Sequence, residues 1–106
     1  MNARLEFTTE QKHHLELRLM SGETLNIFLP RRATIRKLVT VSKTLSDTTE
    51  ASIDELYDMT AILLSTNDQG KTFTADDVDA MFDLEDLVKF IKGFMSFIQE
   101  VTASPN

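Results

Sequence analysis

Cysteine and tryptophan are absent from this 106-residue chain, and glycine occurs only three times, proline and histidine twice each. Without cysteine there is no disulfide, no thiolate metal site and no thiol nucleophile. Three scattered glycines leave no loop able to gather backbone N–H groups around a phosphate, and no Gly-x-Ser-x-Gly turn presents a serine. The apolar runs are a few residues long, far short of the ~20 that cross a bilayer. The polar opening Met1-Asn2-Ala3-Arg4 is unlike a signal peptide, so a cytosolic, non-membrane protein is expected.

What is present is an ordinary globular balance, 42% hydrophobic and 26% charged, with a net charge of −6. A chain of this length buries only ~60–65% of its unfolded surface, and one domain over residues 1–106 is expected. The charge is unevenly spread. Residues 1–45 carry eight Lys or Arg against four Asp or Glu, and residues 46–106 carry three against thirteen. The acidic total disfavours a phosphate-backbone binder, so no nucleic-acid partner is expected. The polarity instead allows one copy to meet another through Arg31, Arg32, Arg36 and Lys37, the one basic cluster, although acidic helix starts explain much of the skew.

Leu15, Leu17 and Leu19 alternate with Glu16 and Arg18; Met20-Ser21-Gly22-Glu23 is a turn; Leu25, Ile27 and Leu29 alternate with Thr24 and Asn26. This predicts a β-hairpin within residues 1–30 with one aliphatic face. Phe28 falls on the other face, either covered by the first strand or exposed as a contact. Arg4-Leu5-Glu6-Phe7 alternates briefly and would make the sheet three-stranded. Pro30 ends the second strand because it has no N–H to donate.

Helical spacing follows through residues 31–101: Ile35, Leu38, Val39 and Leu45, then Ile53, Leu56, Tyr57, Leu63 and Leu64. Ser52 with Glu55, and Thr74 with Asp77, fit reciprocal caps; Asn67-Asp68-Gln69-Gly70 stops the middle helix; Asp83 caps the last. Residues 102–106 are expected to fray. Strands before helices predict an α+β fold, a hairpin packed against three or four C-terminal α-helices.

The last helical stretch carries Leu84, Leu87, Val88, Phe90, Ile91, Phe94, Met95, Phe97, Ile98 and Val101 on an arc of roughly 180°, wider than the ~100° needed to face one core. A side covering the hairpin needs Leu84, Leu87, Val88, Ile91, Met95 and Ile98. That leaves Phe90, Phe94, Phe97 and Val101 at one margin, as core against a neighbouring helix or as a partner-binding surface, with Phe28 a further candidate contact. Catalytic and metal chemistry find no footing. His13 and His14 are adjacent and cannot converge on one ion from a strand. With Gly70 at the sixth position of a calcium loop, Ser65, Asn67, Gln69 and Asp76 fall at ligand positions, only one of them a carboxylate, so no metal or other cofactor is expected. The acids Asp76, Asp77, Asp79, Asp83, Glu85 and Asp86 serve helix starts, with a basic partner as the alternative.

Phe28-Leu29-Pro30 closing a hairpin, a helix directly after it, Leu63-Leu64-Ser65-Thr66-Asn67 ending a middle helix, Phe73-Thr74-Ala75-Asp76-Asp77-Val78 and the closing Leu84-Glu85-Asp86-Leu87 with Phe90 to Glu100 together resemble the tail assembly chaperones of long-tailed, siphovirus-type bacteriophages and prophages. The resemblance implies a non-enzymatic acidic protein of the host bacterial cytoplasm. It would shield apolar helical segments of a partner such as the tape-measure protein, self-associate, and be left out of the mature virion. A structural tail or connector subunit, or a small protein-binding adaptor, are the alternatives.

Overall fold

The structure, a computed structural model, describes residues 3–5, 12–46 and 48–103. It is an α+β arrangement: β1 (His14–Arg18) and β2 (Thr24–Phe28) form an antiparallel hairpin, followed by α1 (Arg32–Lys43), α2 (Glu50–Leu64), α3 (Ala75–Met81) and α4 (Leu84–Ala103). Leu15 faces Ile27 and Leu17 faces Leu25, so the four aliphatics share one face. Gly22 takes φ 93° in the turn, where its N–H donates to the Leu19 carbonyl at 2.9 Å. Among the described residues the sheet has two strands. Arg4 and Leu5 belong to none, Leu5 being 80% exposed, and Glu6 and Phe7 lie outside the described residues.

The hub of the core is α2 rather than the last helix. It buries Leu56, Met59, Thr60, Ala61, Leu63 and Leu64 and packs against α1, α3 and α4. The Thr60 hydroxyl tolerates full burial because it donates to the Leu56 carbonyl at 2.9 Å. Thr49, not Ser52, caps this helix: its Oγ1 accepts from the Ser52 N–H. Thr49 leaves the helical backbone while Ser52 already sits in the first turn. On α1, Val41 is buried and Val39 exposed, since Val41 lies about 60° from Leu38 around the helix and Val39 about 100° on the other side.

Thr74 and Asp77 form the expected capping box of α3, and Asp83 and Asp86 exchange the same pair of bonds at α4, at 2.8 and 3.1 Å. Helix α4 runs on to Ala103, so residues 102 and 103, expected to fray, are helical; the Thr102 hydroxyl donates to the Ile98 carbonyl at 2.8 Å. Residues 104–106 lie outside the described residues.

Candidate functional site: an apolar trough between β1 and α4

Helix α4 turns Leu87, Ile91, Phe94 and Ile98 into the core, a spacing of four, three and four residues that keeps one narrow stripe on a single side. Phe94 therefore leaves the predicted partner surface: it is fully buried. On a helical projection it lies only about 20° from Leu87, whereas Phe90 and Phe97 lie about 60° and 80° away on the same flank. Those two, with Val101, are half-buried. Leu84, assigned to the core by its spacing, is exposed. The three rings make a row, with centroids 5.9 Å apart for Phe90 and Phe94 and 5.7 Å for Phe94 and Phe97. Such tilted and edge-on contacts favour aromatic pairs and fix the outer rings on the inner one.

Across from this row lies β1. The two do not close on each other. A groove of about 280 Å³ is lined by Leu15, Leu17 and Leu19 of the hairpin and by Phe82, Phe90 and Gly93, with Glu16, Arg18, Asp86 and Lys89 also on its walls. Gly93 is exposed there and leaves the wall low where any side chain would raise it. A second hollow of about 380 Å³ continues past Leu15 to Phe97, Val101 and Glu100, with His13 and His14 above. The two hollows meet at Leu15; the first is mainly apolar, and the second is lined as much by polar groups, His13, His14 and Glu100, as by Phe97 and Val101. Leu15 and Leu17 stay half-buried there, while their partners Ile27 and Leu25 are fully buried.

Phe28 does not join this surface. It stands on the opposite face of the hairpin, half-buried against the His14 ring at 6.3 Å, and its backbone N–H donates to the Thr66 carbonyl. The basic residues are also elsewhere. Arg31, Arg32, Arg36 and Lys37 are exposed at the start of α1, where the helix's positive pole gives them no local compensation and no acidic residue occupies the first turn. Lys37 lines a separate groove of about 310 Å³ between α1 and α2, facing Glu55 and Asp58 over Val41, Met59 and Ile62.

Three of the six clustered acids are taken up by structure. Asp77, Asp83 and Asp86 cap helices. Burial, and then the nearby Asp79 and Asp83 carboxylates, push the Tyr57 phenol above its ordinary value. Among the described residues no three or more His, Asp or Glu side chains are grouped to hold a metal.

One arrangement escaped the sequence reading. The segment after α2 acts as a third edge to the sheet: Asp68 N–H donates to the Asn26 carbonyl, and Asp68 carboxylate oxygens accept from Asn26 N–H and Nδ2. Gln69 Nε2 donates to the Thr24 carbonyl, and Lys71 pairs with Glu23. Asn67 holds this loop by donating to the Leu64 and Lys71 carbonyls and accepting from Gln69 and Lys71 N–H groups. The residues read as a helix stop thus seal β2, from more than 40 residues away in the chain. No local pattern signals such a pairing.

Among the described residues no helix is long and apolar enough to cross a membrane. No protein-family model matches the chain, and neither a curated protein nor a solved structure matches it.

Proposed function

We propose that this chain is a non-enzymatic tail assembly chaperone of the long-tailed phage type. It captures apolar helical segments of a tape-measure-like partner in the host bacterial cytoplasm, self-associates, and is absent from the finished virion. The observation that carries the reading is the pair of hollows between β1 and α4, where Phe90, Phe97 and Val101 are only partly buried on the side of α4 facing Leu15 and Leu17. From Phe90 to Val101 the row extends about 16 Å at a rise of ~1.5 Å per residue, so it accommodates about three turns of an amphipathic helix laid alongside. The charged residues on the walls suit the polar flanks of such a helix and disfavour aggregation of the empty surface.

The test is capture of a co-expressed apolar helical fragment. Phe90→Ser with Phe97→Ser weakens capture at least about tenfold, more than it weakens folding, because buried interface aromatics are typical hot spots. Phe94→Ser abolishes folding and capture together. Equal loss of both properties on changing Phe90 and Phe97 would return those rings to the core and remove the reading. The outer edge of β1, unpaired among the described residues, favours the alternative, a structural tail or connector subunit built by strand pairing, and finding the protein in purified particles would select it.

A further inference from the structure

We infer that β1 pairs with β1 of a second copy of this chain, antiparallel about a two-fold axis through Leu17, with Glu16 of each copy facing Arg18 of the other. The two edges of the hairpin are treated differently. The outer edge of β2 is sealed: Asn26 and Phe28 direct their backbone groups to residues 66–68. In an antiparallel ladder the bonding direction alternates, so Leu25 and Ile27 bond to Leu17 and Leu15, and His14, Glu16 and Arg18 turn their N–H and C=O groups outward. Among the described residues nothing pairs with that edge. Open edges are commonly blunted by inward-pointing charges, proline or a bulge. In β1 the inward side chains are Leu15 and Leu17; its only blunting features are its five-residue length and the charges of Glu16 and Arg18, which a matching copy neutralises.

Charge selects both the occupant and the register. Outward residues must face outward residues, which leaves three two-fold registers that overlap more than one residue of this strand. Centring on Glu16 opposes that carboxylate with its own copy. Centring on Leu15 sets Glu16 against His14 and carries Arg18 past the end of the facing strand. Centring on Leu17 sets Glu16 against Arg18 twice, and opposite charges in directly facing positions stabilise a sheet. Within the protomer neither Glu16 nor Arg18 has an ion-pair partner among the described residues, and both are exposed. The same register lays Leu17 on Leu17 and Leu15 opposite Leu19, which covers the partly buried aliphatics of the groove's β1 wall. The contact deepens the self-association in the proposed function and competes with a helix laid against Leu15 and Leu17. Its failure would remove this mode of self-association, whereas capture of a helical fragment is tested separately through Phe90 and Phe97.

The experiment is sedimentation of the full chain across a concentration series, with circular dichroism to verify the fold. The wild type associates to a dimer. Arg18→Glu and Glu16→Arg each weaken dimerisation by roughly tenfold or more, since two attractive pairs become two repulsive ones. The double variant E16R/R18E restores it, because the swapped charges again face each other. A wild type that stays monomeric at high concentration overturns the inference. So does a double variant as weak as the single ones, or a dimer lost only when Arg31 and Arg32 are reversed to Glu, which would transfer the contact to the basic start of α1.

Discussion

Phe94 and Phe97, one turn apart on α4, meet edge to face with ring centroids 5.7 Å apart, yet Phe94 is fully buried and Phe97 only partly so. One ring belongs to the core and the other rests on it, at the border between stability and binding. Four consequences of the structure can be measured.

Phe94→Ala is expected to lower the unfolding free energy by about 3–5 kcal/mol, the usual range for deleting a buried aromatic and leaving its cavity. Phe97→Ala, at the partly buried position, is expected to lose less than half of that. Denaturant unfolding of both variants checks the contrast, and equal losses would show that the two rings share one environment.

Asn67 uses both amide hydrogens and its carbonyl oxygen to hold the loop beside β2, in bonds of 2.7 to 3.1 Å. Asn67→Ala leaves several half-buried backbone groups without partners and is expected to cost about 1–3 kcal/mol. Faster amide exchange at Asn26 and Phe28 would accompany the loss, since their hydrogen-bond acceptors lie on this loop.

Asp68 is held below the ordinary aspartate range, chiefly by the hydrogen bond from the Asn26 side chain. A pKa lowered by folding means that the ionised form is favoured in the native state. The contribution is complete above the unfolded value and is lost as pH falls through the lower folded one. Wild-type stability should therefore fall further in acid than that of Asp68→Asn, and an NMR titration of the Asp68 carboxyl carbon should give a midpoint below that of an unstructured aspartate.

Tyr57 has the opposite sign. Burial, with Asp79 and Asp83 adding to it, raises its pKa, so its contribution is present below the unfolded value and is lost as pH rises through the raised folded value. Tyr57 is the chain's one tyrosine, so an alkaline absorbance titration reads it without overlap. Asp79→Asn and Asp83→Asn should each move the midpoint down, and no movement in either would place both carboxylates too far away to act.

Much of this was legible along the chain, because periodicity and capping are local. Alternation at Leu15, Leu17, Leu25 and Ile27 marks a hairpin with one aliphatic face, and Thr74 with Asp77 and Asp83 with Asp86 mark helix starts through bonds that span three residues. The width of the apolar arc on α4 is equally a local property: Leu87, Ile91, Phe94 and Ile98 are buried, and Val88, Phe90, Met95 and Phe97 are partly buried against the same core. Which residues lie at its margin was harder to read. Phe94 and Phe97 are the same residue type half-way along one helix, and their difference in burial depends on where α2 and the hairpin stand.

Long-range contacts account for the rest. That Asp68 closes the edge of β2 depends on a pairing between residues 42 positions apart, which no spacing rule encodes. That α2 is the hub follows from three helices converging on it, a property of packing rather than of its own pattern. Local sequence set the elements and their apolar faces because backbone bonding and side-chain period act over a few residues. Assembly into three dimensions assigned each apolar residue to core or surface, because burial depends on neighbours that the chain brings back from far away.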